Sequence, residues 1–590
     1  MPKNKKSNTN VANTANTTNN NRSYFSVLTD NLNKSDTKEP VVSEPVLNRK
    51  FHFGGKYVKQ SSLTFKKDLS REVFDAMVDL TGTSVVDDEG NEINQFVLTV
   101  EALFVYYSVI KERVESVLDL AEVIAVIEQT YDAEFKRFAK MESAKKMSYG
   151  QLKAGLQVGT YITIKAGFGQ MCGAVIRTVK EETFQDGATS IKYLAMTVYS
   201  KKFDGKGYND HGENKYVVSF KDELPLEELE ILPMTPTEMN ALHKRGKIFE
   251  KYANSDKHYY QHYTGNMLVK VWWFFTQTPA TGRIIIDFST HQHLNPNEYQ
   301  NQYYGGSNIL RGKLAHKDYC TLPNTLPAFS FENKKWGQVF MNNISDIEFN
   351  DGCYDKLVMD PNKKKILKSL ILSTKDSFTD IVKGKSGGCI FLLHGVPGTG
   401  KTLTAETISE TLHMPLYSIT SGELGTDVVT VEQKLSQILD IAQRWNAIIL
   451  IDEADVFLEK RDTQNLARNS IVCVFLRLLE KYNGIMFLTT NRKTDIDHAF
   501  QSRISLQLEY TALSESEKLR VWQNLLDAAK INIAHEELVK YSKYNLNGRN
   551  IKNIIRLAHT LSINEHVPTN PSHFEVIFDL YKNEYNIEKV

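Results

Sequence analysis

Residues 390–402 read Ile-Phe-Leu-Leu-His-Gly-Val-Pro-Gly-Thr-Gly-Lys-Thr, and residues 448–455 read Ile-Ile-Leu-Ile-Asp-Glu-Ala-Asp. Each is an apolar run that stops at a polar turn. In the first, the phosphate-loop pattern G-x-x-x-x-G-K-[ST] is complete over Gly395, Val396, Pro397, Gly398, Thr399, Gly400, Lys401 and Thr402. Its glycines let the backbone curl so that N–H groups face phosphate oxygens, and a helix starting at Lys401 adds the positive end of its dipole. Lys401 reaches the β- and γ-phosphates, and the Thr402 hydroxyl ligates Mg2+. In the second stretch, Asp452 is placed to hold Mg2+, directly or through water, and Glu453 to accept a proton from an attacking water. Together the two stretches imply a site for ATP or GTP.

Outward from these runs the chain alternates strand and helix. Strands are expected at 390–393, 416–419, 448–451, 485–489 and 504–508, with helices from Lys401, over 431–445 and over 469–482. Strands that are apolar throughout, with helices between them, imply a parallel sheet covered on both faces, an α/β fold. Ligands of such a sheet gather at the carboxyl ends of its strands. That adds Asn491, which would hydrogen-bond the attacking water or the γ-phosphate. Asn483-Gly484 reads as a left-handed helix cap. From residue 511 only helical patterns remain. The nucleotide domain is therefore expected at 331–510 and a small helical lid at 511–590.

The upstream half reads as a mixed α+β region. Residues 1–49, rich in Asn, Thr, Ser and Lys, are too poor in apolar residues to offset ordering, so a disordered tail is expected. Residues 50–150 are helical in pattern. Ile110, Val114, Val117, Ala121, Ile124, Ile127, Tyr131, Phe135 and Phe138 recur at steps of three and four, as one long helix or a helical hairpin. Residues 151–330 read as β, with β-branched and aromatic runs separated by turn pairs such as Asp204-Gly205. Aromatic clusters at 258–263 and 272–275 lack interleaved Arg or Lys, which favours a core or interface role over base stacking. Residues 295–308 read as an exposed linker.

Composition bounds the rest. The 590 residues exceed a single core. Lys plus Arg equals Asp plus Glu at 71 each, so no global field draws the chain to nucleic acid or acidic lipid, although a local basic groove stays open. The 5 cysteines are scattered, without C-x-x-C, which argues against a zinc site and a disulfide framework. No stretch approaches a membrane span and no signal peptide is evident. A soluble intracellular protein is expected, of cytoplasm or nucleus, or of the host cytoplasm if the source is viral.

The motifs resemble those of the AAA ATPases. HGVPGTGKT is similar to their Walker A motif, IILIDEAD to Walker B, and LTTN at 488–491 to the first sensor. DIDHAFQSRI at 495–504 resembles the second region of homology, in which an arginine enters the neighbouring subunit's site; the matching residue is Arg503. Asn547-Gly548-Arg549 resembles a second-sensor segment and carries Arg549 over. GELGTD at 422–427 and the helix NSIVCVFLRLLE resemble fungal-type AAA proteins with an uncharacterised domain upstream. The resemblance implies ATP and Mg2+ as ligands and a homo-oligomeric ring, a hexamer. It departs from the pattern at one loop. Where threading rings carry an aromatic-apolar-glycine sequence after the second strand, residues 426–430 read Thr-Asp-Val-Val-Thr, with Val428 in the aromatic position.

The functional expectation is ATP hydrolysis coupled to conformational remodelling of a macromolecular partner, a protein held through residues 50–330. Two alternatives stand beside it, a nucleic-acid motor or loader and a nucleotide-switched scaffold that seldom hydrolyses. Intact Glu453, Asn491 and Arg503 argue against the scaffold.

Overall fold

The computed structural model describes residues 62–66, 95–113, 120–166, 170–186, 189–254, 256–272, 274–296, 314–373, 388–460, 466–492 and 496–581. The tail expected at 1–49 and most of the linker expected at 295–308 lie outside the described residues. Two compact units form, one from 1–257, 287–327 and 338–342, the other from 258–286, 328–337 and 343–590.

The described part of the first unit opens on an antiparallel strand pair, Ser62–Lys66 with Gln95–Thr99, which departs from the helical pattern expected over 50–150, and it continues into helices and then β. Helices α1 (Val100–Arg113) and α2 (Leu120–Ser143) meet through Phe104, whose ring lies 5.3 Å from both Phe135 and Phe138. An antiparallel sheet follows, with β1 (Tyr161–Ala166), β2 (Gln170–Asp186), β3 (Thr189–Phe203), β4 (Tyr208–Val218) and β5 (Ile231–Pro233) in the order β4-β3-β2-β1-β5. Alternation along these strands buries Ile162, Ala174, Ile176, Leu194, Met196 and Val198 with Leu103, Tyr131 and Phe138 of the helices. Helix α3 (Pro236–Tyr252) starts at a capping box, Thr235 with Glu238, with Pro236 in its first turn.

The second unit does not begin at residue 331. It includes the hairpin of β6 (Tyr259–Val271) and β7 (Phe274–Ile286), paired over thirteen positions from Tyr259↔Ile286 to Val271↔Phe274. The base of this hairpin is what ties it to the nucleotide domain. His262 and Tyr263 pair with Ser345 and Ile344, and Arg283 donates to both carboxylate oxygens of Glu410, at 2.9 and 3.1 Å. The aromatic clusters divide accordingly. Tyr263 is fully buried at the base, while Trp272, 82% exposed, sits at the tip with Phe274 and Phe275.

The nucleotide domain is the expected parallel sheet. Strands β8 (Cys389–Gly395), β9 (Leu416–Thr420), β10 (Ile448–Asp452), β11 (Ile485–Thr490) and β12 (Leu506–Tyr510) run in the order β9-β10-β11-β8-β12. Each neighbouring pair among them runs parallel. Residues 448–451 are solvent-free on both faces, which is why that run is apolar without alternation. Helices α4 (Lys401–Leu412), α5 (Val428–Trp445) and α6 (Leu466–Lys481) lie between strands. On α5, Val431, Leu435, Leu439, Ala442 and Trp445 form one buried stripe at helical spacing.

The left-handed cap expected at Asn483-Gly484 does not form. Helix α6 ends at Lys481, and neither residue is among those with positive φ. Gly484 serves close approach instead, since a Cβ there would meet the Tyr482 hydroxyl at 2.2 Å. The lid comprises α7 (Glu515–Ala529), α8 (His535–Ser542), α9 (Gly548–Asn564) and α10 (Pro571–Leu580), packed around Trp522, Tyr541 and Phe574.

Candidate functional site

Strand order decides which residues meet. Because β11 lies between β8 and β10, the phosphate loop after β8 and the acidic turn after β10 open on either side of the Thr489-Thr490-Asn491 end of β11. The sequence placed these residues on three strand ends, and the sheet brings the three ends together.

Lys401 is the hub. It is only 8% exposed, and its ammonium uses all three donors: to the carbonyls of Gly395 and Val396, both at 2.8 Å, and to Asn491 Oδ1 at 2.9 Å. Burial lowers its pKa from the ordinary lysine value. Asp452 and Asp455 oppose that shift, while the positive charge of Arg549 reinforces it. The start of lid helix α9 lies beside the phosphate loop. A Cβ on Gly398 would meet Asn547, the residue that caps α9, at 2.6 Å, and one on Gly548 would meet the Gly398 carbonyl at 3.0 Å.

Thr402, in the first turn of α4, lies with its hydroxyl 3.4 and 3.3 Å from the two carboxylate oxygens of Asp452. Among the described residues no group of three or more His, Cys, Asp or Glu could cage a metal. A hydroxyl and one carboxylate fit Mg2+, which keeps several waters and takes the remaining oxygens from phosphates. Glu453 follows with φ 55, in the left-handed region that non-glycine residues seldom adopt, and its side chain is exposed. Its N–H donates to Thr489 Oγ1 at 3.1 Å, and Thr489 Oγ1 itself donates to Asp452. Next to it, Thr490 Oγ1 donates to Asp455 and accepts from the Arg492 N–H at 3.0 Å.

Arg503 stands apart. It donates to the Ala499 carbonyl at 2.5 Å and pairs with Glu480 on α6, and its Nε is buried without a hydrogen-bond partner. None of these partners belongs to the nucleotide cluster. Residues 428–430, the expected pore-loop positions, are the first turn of α5, with Asp427 as N-cap accepting from the Thr430 N–H at 2.9 Å. The short link before them is Gly425-Thr426-Asp427.

Residues 391–511 match the family model described as ATPase family associated with various cellular activities (AAA). This segment is an AAA ATPase domain. Curated relatives agree. The ATPase family AAA domain-containing protein 3A homolog of Drosophila melanogaster is 29% identical over 172 residues, 28% of this chain and 28% of that protein. A putative 26S proteasome regulatory subunit homolog of Methanothermobacter marburgensis is 27% identical over 252 residues, 40% of this chain and 64% of its own length. The 26S proteasome regulatory subunit 4 homolog of Schizosaccharomyces pombe is 28% identical over 191 residues, covering 30% and 42%. The chain thus spans from about a quarter to just under two thirds of these relatives. No described helix is long and apolar enough to cross a membrane.

Within the AAA domain and its lid, the structure gathers Lys401, Thr402, Asp452, Glu453, Asn491 and the start of α9, and it leaves Arg503 outside. Sequence reasoning quoted Thr489 and Asn547 only as parts of the two sensor segments and gave neither a role of its own. A threonine closing a β-branched strand and an asparagine before a helix each have an ordinary structural explanation, so neither announces itself.

Proposed function

We propose that the protein is a Mg2+-dependent ATP hydrolase whose AAA domain acts in a homo-oligomeric ring to remodel a protein partner held by residues 50–330. The observation that carries the reading is the convergence on Lys401 of the loop carbonyls and Asn491, beside the facing Thr402 and Asp452. On nucleotide binding the three donors of Lys401 exchange carbonyl and amide partners for phosphate oxygens, which are stronger acceptors for an ammonium. Thr402 and Asp452 would hold Mg2+, whose charge neutralises that developing on the transferred phosphoryl group. Glu453 accepts the proton of the attacking water, and Asn491, freed from Lys401, orients that water. Arg549 brings positive charge from the lid.

Ring assembly is supported by Arg503. Its guanidinium has partners only outside its own chain's nucleotide cluster, so it would complete the site of a neighbouring subunit. Partner engagement without threading is supported by α5. Val428 is a half-buried residue of an N-capped helix rather than a paddle on a flexible loop.

The test is nucleotide binding and phosphate release on purified full chain. Lys401→Ala should abolish binding, while Glu453→Gln should bind ATP and turn it over roughly 10²–10⁴-fold more slowly, the usual loss of a general base. Near-parental hydrolysis by Glu453→Gln would remove Glu453 from this role. Loss of basal ATPase on deleting residues 50–257, which leaves the hairpin of the nucleotide unit in place, would refute the division of labour. Binding that falls steeply with salt, tested on DNA and RNA, would favour the motor or loader instead.

A further inference from the structure

We propose that Thr489 is a positioning residue of the ATPase site, and that its single hydroxyl sets the direction of both carboxylates of the Asp452-Glu453 pair. The proposal rests on the reading of this site as an ATPase centre. Thr489 is the penultimate residue of β11, next to β10 in the sheet, and is 2% exposed. Its Oγ1 donates to Asp452 Oδ1 and accepts from the Glu453 N–H at 3.1 Å, and its carbonyl accepts from the Ala454 N–H at 2.8 Å. One residue therefore bonds to three consecutive members of the acidic turn.

The chemistry follows from what a hydroxyl offers. Its one proton goes to Asp452 and a lone pair takes the Glu453 N–H, so both links come from the same atom. With Oδ1 engaged, the Asp452 carboxylate cannot spin about its terminal torsion, and it stays turned toward Thr402, 3.3 Å from Oδ2. The Glu453 link acts on the backbone. Residue 453 is left-handed, at φ 55, and that conformation sends its side chain out of the line of the strand. A bond to the N–H at the centre of this turn holds a backbone that glutamate would otherwise leave. Thr489 touches neither phosphate nor metal here. It works through the two residues that would.

The test compares Thr489→Val, which keeps the shape and removes the hydroxyl, with Thr489→Ser, which keeps the hydroxyl and removes the methyl. Partners that orient a metal ligand usually contribute about 10–100-fold in metal affinity or activity. Thr489→Val should lower kcat by that order. The Mg2+ concentration that half-saturates its binding of a non-hydrolysable ATP analogue, followed by calorimetry, should rise about tenfold. Affinity for the analogue without Mg2+ should equal the parent's, and far-UV circular dichroism should be unchanged. Thr489→Ser should recover most of both losses.

Parental kcat and Mg2+ dependence in Thr489→Val would overturn the proposal. So would a Thr489→Ser variant as impaired as the valine, since packing rather than the hydroxyl would then matter, and so would equal loss of Mg2+-free binding in Thr489→Val. If Thr489→Val fails to fold, the serine variant decides alone through the same two measurements. A parent chain that neither binds nor hydrolyses ATP marks failure of the functional reading itself. An active parent with an indifferent Thr489→Val marks failure of this inference only.

Discussion

Replacing Gly395 and Gly400 by alanine separates two reasons for glycine in one loop. Gly400 has φ +101, and a Cβ there would touch nothing within 4 Å. Its substitution therefore brings only the backbone penalty of a conformation that L-residues avoid, roughly 1–2 kcal/mol. Gly395 has φ +133, and its Cβ would lie 2.0 Å from the Tyr510 carbonyl oxygen. That carbonyl is backbone of β12, the register partner of Gly395, and it accepts the Val396 N–H at 3.0 Å. It has to withdraw by roughly an ångström, which breaks that bond and leaves a buried group unpaired at about 1–3 kcal/mol beyond the backbone term. Gly395→Ala should thus destabilise by roughly 4 kcal/mol in all.

Tryptophan fluorescence reads the effect selectively. Among the described residues the tryptophans, Trp272, Trp336, Trp445 and Trp522, all belong to the second unit, and Trp445 and Trp522 are fully buried. With a urea m-value of about 3 kcal/mol/M, the nucleotide-free midpoint should fall by about 1.3 M for Gly395→Ala and by about 0.5 M for Gly400→Ala. Equal midpoints for the two variants would refute the steric reasoning. So would a Gly395→Ala protein that unfolds with the parent.

Arg503→Ala should leave nucleotide affinity near the parent's and lower hydrolysis by roughly 10³-fold or more, and mixing it with Lys401→Ala should restore some phosphate release. No rescue in rings shown by mass to be mixed would indicate a role within one chain. Val428→Ala should barely change partner-stimulated ATPase, because it trims a half-buried helical residue; a large loss, with stimulation by an unfolded model protein, would return the chain to threading. Acid should weaken the first unit through Glu213. Its hydrogen bonds to His211 and Lys215 hold its carboxyl at about 2 against the ordinary 4.5. A depressed carboxyl contributes stability above 4.5 that disappears as pH falls through about 2, so Glu213→Gln should flatten that limb of an acid titration of unfolding.

The sheet was legible because its strands are apolar on both faces. A covered parallel sheet accounts for residues 448–451 being Ile-Ile-Leu-Ile, so with helical patterns between the runs the sheet type could be read, while the spatial order of its strands could not. Element ends came within a few residues. The hairpin of 258–286 was assigned to the upstream domain because its strands look like those before it. What attaches it to the nucleotide unit is Arg283 meeting Glu410, 127 positions later, and pattern reading carries no signal for such a pairing. The same limit hid Thr489. A hydroxyl at a strand end gains its meaning from the turn across the sheet, and one-dimensional spacing does not show which turn that will be. Arg503 was found by resemblance alone, since nothing local distinguishes it from any arginine paired on a helix.

The contact of Gly398 with Asn547 and Gly548 gives the molecule a lever. Helix α9 has 17 residues, a rod about 25 Å long, and its N-terminal end bears directly on the tip of the phosphate loop. A rotation of about 5° at that fulcrum carries the far end through about 2 Å, from the length of the rod alone. Helices α7 and α10 pack on α9, and α8 packs on α7, around a shared core of Trp522, Tyr541 and Phe574. Settling of the loop on a phosphate would, if the lid turned as one body, be read as a displacement of side-chain size at its outer rim.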